Sequence, residues 1–178
     1  GCYFSIGNPN GAAALCIAEG FATGATIHEA TGYPVAVAFN AGNVGAVAKA
    51  MRDKFPDLPL ILCADDDTQT EGNPGLTSAT EAARSVGGLL ALPDTGIDRP
   101  VGATDFNDMV ALCGIEAVRQ AIAGLIEANN EELKEIEVSQ VSGVQASKVG
   151  LSADTPKESS EVSEVSGATE TPIPGEIA

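Results

Sequence analysis

The sequence predicts an α/β fold with a small, mostly parallel four-stranded sheet, helices on both faces of that sheet, and a disordered acidic tail. Three observations predict it. Short, almost wholly apolar runs alternate with segments of helical periodicity. Strands that are apolar on both sides are typical of a parallel sheet covered on both faces. After residue 129 the composition changes, because Ser, Thr, Glu and Val dominate and no aromatic residue follows.

Four apolar runs are the predicted strands, and the segments between and after them are the predicted helices. The strands are 14–18 (ALCIA), 34–39 (PVAVAF), 58–64 (LPLILCA) and 88–93 (GLLALP). The helices are 21–32, 43–55, 73–87 and 105–129. We expect Gly32 to end the first helix, Asn43 to cap the second, and Asn73 to cap the third just before a proline.

The domain organisation follows from the change of composition. Residues 1–129 are expected to form one domain. Residues 130–178 are expected to be a disordered linker or tail, because they cannot bury enough apolar surface to offset their chain entropy. The chain starts with Gly rather than Met, so we expect it to be a piece of a longer protein.

Composition argues against several kinds of site and location. Residues 1–129 carry six Lys and Arg against fifteen Asp and Glu, so no basic face is expected to hold nucleic acid unaided. The four cysteines lie far apart without a C-x-x-C pair, which argues against zinc and favours reduced thiols in a cytoplasmic protein. The apolar runs are too short for a membrane span, and no targeting signal is present in this sequence.

Polar residues gather where the predicted strands end. The carboxyl ends of parallel strands lie at one edge of the sheet, where such folds bind their ligands. At this edge the sequence places Glu19 and Gly20, Asn40, the run Asp65, Asp66 and Asp67, and Asp105, Asn107 and Asp108 of the TDFND segment. We therefore expect a row of acidic and amide oxygen atoms along this edge.

The run of three aspartates needs something that offsets its charge. Two like charges about 4 Å apart repel by roughly 4 kcal/mol at an effective dielectric constant near 20. Helix capping or simple hydration would be sufficient roles for these residues, but Glu19 ends a different apolar strand in the same way. Two acidic strand ends on one edge favour a bound cation. Oxygen ligands without His or Cys favour Mg²⁺ or Mn²⁺ over zinc.

The order of these motifs resembles that of the Toprim domain, the fold shared by bacterial primases, type IA and type II topoisomerases and some nucleases. CIAEG matches its glutamate motif, and CADDD matches its Asp-x-Asp motif, with Asp65 and Asp67 as the separated pair. The runs LCIAEGFATGATIHEATGYPVAVAFNAGN, GNPGLTSATEAA and GATDFND resemble the Toprim segment of phage- and plasmid-type DNA primases and primase–helicases. The resemblance covers residues 1–129, and it implies that residues 1–11 are the remnant of a preceding subdomain.

The resemblance implies a role for each acidic residue at the edge. Glu19 is the expected acid–base group or first metal ligand, and Asp65 and Asp67 are expected to hold Mg²⁺ or Mn²⁺. These three residues are the implied catalytic set. Asp105 matches the first residue of a later acidic pair, with Asn107 or Asp108 as its companion. The implied metal ligands are Glu19, Asp65, Asp67, Asp105 and Asp108.

Two positions depart from the family's pattern. Thr23 stands where replicative primases have a further acidic residue, and Ser78 stands where a basic residue was expected. The candidate nucleotide-binding residues are Gly20, Asn40, Asn43 and Asn107. The NAGN segment, which holds two of them, is compatible both with phosphate binding at a helix start and with a plain turn and cap.

The resemblance implies metal-dependent nucleotidyl transfer, in which RNA primers are made on single-stranded DNA from nucleoside triphosphates during replication. It also implies a larger protein, with a zinc-ribbon or basic domain upstream and a helicase domain downstream. A Toprim-type nuclease that activates water with the same carboxylates is the enzymatic alternative, and a non-catalytic scaffold is another. A phospho-accepting signalling domain fits less well, because its acidic pair belongs on the first strand and it needs a later Lys.

Overall fold

The fold has five strands and five helices within residues 1–146, which are the residues that the computed structural model describes. The strands are β1 (Phe4–Ile6), β2 (Leu15–Ala18), β3 (Val35–Val37), β4 (Leu60–Cys63) and β5 (Leu89–Ala91). The helices are α1 (Phe21–Thr31), α2 (Ala41–Lys54), α3 (Pro74–Val86), α4 (Phe106–Cys113) and α5 (Ile115–Ala146). Gly1–Ser139 forms one compact unit. Among the described helices, none combines the length and the apolar character needed to cross a membrane.

The strands form one sheet in the order β1-β3-β2-β4-β5, and only β1 runs antiparallel to its neighbour. Ala18 lies beside Val37 and Cys63, the last residues of the two strands that flank β2. Cys63 in turn lies beside Ala91, the last residue of β5. The four parallel strands therefore end together, which confirms the predicted α/β fold and its common carboxyl edge.

Helices cover both faces of the sheet, as predicted. Successive strand residues point to opposite faces, so Cys16 shares a core with α1, α4 and α5, while Ile17 shares a core with α2 and α3. Large helix side chains in these cores are Ile27, Phe106 and Ile122 on one face and Val47 and Met51 on the other. Because α1, α2 and α3 each follow a parallel strand, all three begin at the carboxyl edge.

The strand β1 is an addition to the predicted four-stranded sheet. Phe4 pairs with Val37, and Ile6 pairs with Val35, in antiparallel register. Residues 1–11, which were expected to be the remnant of a preceding subdomain, therefore contribute an edge strand to this sheet. The strand has only three residues and two of them are exposed, so it lacks the apolar run that would predict it.

The start of α2 differs from the predicted one. This helix begins at Ala41, with Asn40 as its N-cap residue. Asn43, the predicted cap, instead donates hydrogen bonds to the backbone oxygen atoms of Cys2 (2.7 Å) and Ala38 (2.8 Å). The Asn43 side chain therefore ties the end of β3 to the backbone that leads into β1.

The predicted helix over 105–129 is two helices, α4 and α5. Gly114 lies between them with a φ of +83°, a value that glycine adopts without strain. The second helix continues to Ala146, so residues 130–146, which were expected to begin the disordered tail, are helical. The remainder of the predicted tail, 147–178, lies outside the described residues.

The four cysteines are free thiols. Cys16 and Cys63 are buried in neighbouring strands of the sheet, while Cys2 and Cys113 are exposed. The pKa of the Cys63 thiol is raised well above its ordinary value, mainly by a hydrogen bond with Cys16 and secondly by burial. Cys63 is therefore an uncharged core residue.

Candidate metal-binding site

Asp65 lies at the carboxyl edge, two residues beyond the end of β4, and its pKa is raised far above the ordinary value. Its Oδ1 atom is buried and has no hydrogen-bond partner among the residues that the structure describes. Burial, followed by the negative charges of Glu19, Asp105 and Asp108, raises the pKa of Asp65 to about 6. The charges of Glu19, Asp105 and Asp108 are therefore near enough to act on Asp65, and one buried oxygen atom of Asp65 is without a partner among the described residues.

Asp66 is paired with a cation of the protein itself. Its Oδ2 atom forms an ion pair with Arg99, and its Oδ1 atom accepts a hydrogen bond from Asn73 Nδ2 (2.7 Å). The Arg99 hydrogen bond first, and the Asn73 hydrogen bond after it, outweigh the effect of burial and lower the pKa of Asp66. Asp66 is therefore charged at neutral pH, and Arg99 offsets part of the repulsion among the three aspartates.

Asp67 is engaged in a local turn. Its carboxylate accepts hydrogen bonds from Thr70 Oγ1 and from Gln69 N, the second over 3.3 Å. It is not among the charges that raise the pKa of Asp65. Three consecutive aspartates thus have three different surroundings, and the metal-binding role of Asp67 stays a prediction.

Asp105 and Asp108 form a capping box at the start of α4. Asp105 Oδ1 accepts hydrogen bonds from Asn107 N (2.8 Å) and Asp108 N (2.9 Å). Asp108 Oδ2 in turn accepts one from Thr104 N (2.7 Å). The box satisfies backbone N–H groups that a helix start leaves unpaired, and it holds both carboxylates in place. Their role as metal ligands stays a prediction.

Thr23 and Asn107 connect α1 to the start of α4. Thr23 is 3% exposed, and its hydroxyl donates a hydrogen bond to Asp105 Oδ2 over 3.3 Å. The same oxygen atom accepts one from Asn107 Nδ2 (2.8 Å), and Asn107 Oδ1 accepts one from Thr26 Oγ1. Both ends of the Asn107 amide are thus occupied within the protein, although this residue was a candidate nucleotide ligand.

The other candidate nucleotide-binding residues lie at helix starts. Gly20 and Asn40 are the N-cap residues of α1 and α2, and neither start has a side-chain cap. Backbone N–H groups at a helix start lack intrahelical partners, and the helix dipole favours negative charge there. Phosphate binding by Gly20 and Asn40 stays a prediction.

The donor atoms at this edge suit a hard cation. They are carboxylate oxygen atoms, the ligands that Mg²⁺ and Mn²⁺ prefer, and Asp65 Oδ1 is the buried one without a partner. As the side chains are oriented, no three His, Cys, Asp or Glu residues within 1–146 converge as they would around an ion.

Comparison with known families extends this picture. Residues 14–116, more than half of the chain, match the family model described as Toprim domain. The chain belongs to the Toprim family. The match begins one residue before β2 and includes all five predicted metal ligands.

Two proteins of Escherichia coli, both named DNA primase TraC, are similar to this Toprim domain. One is 47% identical over 100 residues, which cover 52% of the chain and 9% of that protein. The other is 37% identical over 161 residues, which cover 82% of the chain and 11% of that protein. The chain therefore spans about a tenth of the length of these relatives. No solved structure matches it.

Thr23 and Arg99 contact acidic residues of the edge, but neither was predicted to belong to the site. A signal for Thr23 exists, because it follows Glu19 by four residues and so lies in the first turn of α1, next to the same edge. Arg99 has no comparable signal. It pairs with a residue 33 positions earlier and lies in the irregular segment between β5 and α4.

Proposed function

We propose that this Toprim domain is the metal-binding catalytic part of a plasmid- or phage-type DNA primase, and that the whole protein makes RNA primers on single-stranded DNA during replication. The observation that carries the proposal is the buried carboxyl group of Asp65, which has an unpartnered oxygen atom and lies among the charges of Glu19, Asp105 and Asp108. Homology supports it, because both relatives described above are named as DNA primases.

Each residue of the edge has a proposed role. Mg²⁺ or Mn²⁺, when bound, supplies positive charge that stabilises the negative charge developing on the phosphates of the incoming nucleotide. Asp65 and Asp67 are the proposed principal ligands, with Asp105 and Asp108 beside them. Glu19 is partly exposed, and its carboxylate accepts the proton of the primer 3′-hydroxyl.

The helix starts at Gly20 and Asn40 have a proposed role in binding the phosphates of the nucleotide. They present backbone N–H groups at the same edge as the carboxylates. These backbone N–H groups are uncharged hydrogen-bond donors. They can therefore bind an anion without adding a competing ligand for the metal.

We propose that the single-stranded DNA template is bound by residues outside this chain. Three of the six Lys and Arg residues within 1–129 are occupied inside the domain. Arg52 donates to backbone oxygen atoms, Arg99 to Asp66, and Arg119 to Ala30. Because affinity for a phosphate backbone comes mainly from available cations, the isolated chain is expected to make no primers. A zinc-ribbon or basic domain upstream and a helicase domain downstream remain predictions.

The test is primer synthesis on single-stranded DNA with Mg²⁺ or Mn²⁺, by an extended protein of the length of its relatives. Glu19→Gln is expected to reduce synthesis by at least about 100-fold, because it removes the proposed proton acceptor. Glu29→Gln is the matched control and should retain synthesis, because Glu29 is an exposed residue near the end of α1. Circular dichroism should be the same for all three proteins.

Other outcomes distinguish the alternatives. Full primer synthesis by Glu19→Gln would contradict the assigned role of Glu19. Cleavage of DNA without nucleoside triphosphates, lost in the same variant, would favour the Toprim-type nuclease. Neither activity in the extended protein, together with no measurable binding of Mn²⁺, would favour a non-catalytic scaffold.

A further inference from the structure

Arg99 contacts two separate segments of the carboxyl edge. Its Nη1 and Nη2 atoms donate to the Oδ2 atom and the backbone oxygen of Asp66, directly after Asp65. Its Nε atom donates to the backbone oxygen of Ala103 over 2.6 Å. One guanidinium group therefore links the end of β4 to the segment that leads into α4.

Asp66 has every hydrogen-bonding group occupied by these and neighbouring contacts. Its second carboxylate oxygen accepts a hydrogen bond from Asn73, and its backbone N–H donates to Thr104 O (2.8 Å). The Arg99 and Asp66 side chains are only 25% and 19% exposed. Each of these groups of Asp66 thus has a partner within the protein, and these contacts join segments of the chain to one another.

The anchored segment leads directly into the acidic pair of α4. Arg99 holds Ala103, and Asp66 holds Thr104, the residue before Asp105. Thr104 N donates to the carboxylate of Asp108, which completes the connection to the capping box. Through this chain of contacts, the position of the Asp105 and Asp108 carboxylates relative to Asp65 depends on Arg99.

We propose that Arg99 is a positioning residue for the metal site, because it holds in place the segment that carries the Asp105 and Asp108 carboxylates near Asp65. The part of the inference that concerns metal rests on the proposed function. The contacts themselves do not depend on it. Hydrogen-bonding groups that orient metal ligands typically affect metal affinity by about 10- to 100-fold when they are removed.

Charge and positioning predict opposite effects for the loss of Arg99. A cation beside a cluster of carboxylates repels Mn²⁺, so removing it by Arg99→Ala should tighten binding if charge were its main contribution. If positioning dominates, the same variant binds Mn²⁺ more weakly in spite of the lost repulsion. Arg99→Lys keeps the charge but lacks the planar fork that reaches three acceptors, so positioning predicts weaker binding for this variant as well.

The experiment measures Mn²⁺ affinity by calorimetry and amide hydrogen exchange by NMR, on the 178-residue chain. Arg99→Ala and Arg99→Lys are compared with Arg84→Ala, which removes an exposed positive charge from the last turn of α3, remote from the carboxyl edge. We expect both Arg99 variants to lose about 10- to 100-fold in affinity. The amides of Asp66 and Asp108 should exchange about tenfold faster in Arg99→Ala, and amides of the sheet should keep their rates.

Each result decides the matter. Weaker Mn²⁺ binding by both Arg99 variants, with unchanged binding by Arg84→Ala, supports positioning. Equal or tighter binding by Arg99→Ala overturns it. If the wild-type chain binds no Mn²⁺, the proposed metal site fails. The exchange rates of Asp66 and Asp108 then still decide whether Arg99 holds the segment, and unchanged rates overturn the inference.

Discussion

The Thr23 hydroxyl donates a hydrogen bond to Oδ2 of Asp105, the residue that caps α4, although 82 positions separate the two in the sequence. Thr23→Val keeps the shape of the side chain and removes the donor. We expect it to lower the free energy of unfolding by about 1 kcal/mol, because a partly buried carboxylate loses a partner. Urea unfolding at neutral pH measures this loss.

Thr80→Val is the matched control for this hydroxyl. Thr80 Oγ1 donates only to the Leu76 backbone oxygen within α3. Its replacement should change the free energy of unfolding by no more than about 0.5 kcal/mol. Equal losses for Thr23→Val and Thr80→Val would mean that the contact with Asp105 contributes nothing specific.

Asp65→Asn is expected to stabilise the metal-free protein at neutral pH. The folded-state pKa of Asp65, about 6, lies above its ordinary value of 3.8. The charged carboxylate therefore costs stability above pH 6, and that cost declines as the pH falls from 6 and is gone below 3.8, where the group is protonated in both states. The shift corresponds to about 3 kcal/mol at most, and partial exposure reduces the expected gain to about 1–2 kcal/mol.

Urea unfolding in EDTA, at neutral pH and near pH 4, measures the effect. Asp66→Asn is the control of opposite sign. The pKa of Asp66 is lowered by Arg99, so its charge stabilises the fold above the ordinary pKa and ceases to do so as the pH falls. Asp66→Asn should therefore destabilise at neutral pH by about 1–2 kcal/mol, because the Arg99 guanidinium loses its partner. Equal effects of the two substitutions would rule out different surroundings for these neighbours.

Gly75→Ala is expected to disturb Asp65 directly. A Cβ atom at Gly75, in the first turn of α3, would lie 2.9 Å from the backbone oxygen and 3.2 Å from the Cβ atom of Asp65. Backbone cannot move away as a flexible side chain does, so we expect a loss of about 1–3 kcal/mol in the free energy of unfolding. The same substitution should weaken Mn²⁺ binding in calorimetry.

Gly45→Ala is the matched control, since Gly45 is also helical but a Cβ atom there meets nothing within 4 Å. It should stabilise the protein by about 0.5–1 kcal/mol through helix propensity. A Gly75→Ala variant as stable as Gly45→Ala would contradict the close approach of α3 to Asp65.

Phe39 is a further site where the backbone is strained. It has a φ of +68° although it is not glycine, it is 58% exposed, and its N–H donates to the backbone oxygen of Glu19. We expect Phe39→Gly to be more stable than Phe39→Ala by about 1 kcal/mol, because both lose the ring but only Gly relieves the left-handed conformation. Thermal unfolding of the two variants checks this, and a more stable Ala variant would contradict it.

The carboxyl edge was predictable because strand order along the chain fixes where parallel strands end. Glu19 and Asp65 follow apolar runs, so their arrival at one edge needs no knowledge of tertiary contacts. The different surroundings of Asp65 and Asp66 were not predictable. They depend on Arg99, which lies 33 positions from Asp66 in the sequence, and neither residue belongs to a helix or strand whose pattern would bring the two together.

Local sequence patterns were sufficient to predict some elements of the structure and not others. The capping box of Asp105 and Asp108 could have been read from the spacing of the two carboxylates, which occupy the N-cap and N3 positions of α4. The strand β1 could not, because two of its three residues are exposed and its only sheet partner lies more than 25 positions away.

The edge strand β1 has a consequence for how the domain can be cut from its protein. The family match begins at residue 14, yet β3 depends on Phe4–Ile6 for its outer row of backbone hydrogen bonds. An excised piece that began at Ala14 would expose the unpaired backbone of Val35–Val37, an apolar template on which a second copy can dock and aggregation can start. Any excision that is to avoid this exposed edge must therefore retain the segment that precedes the match.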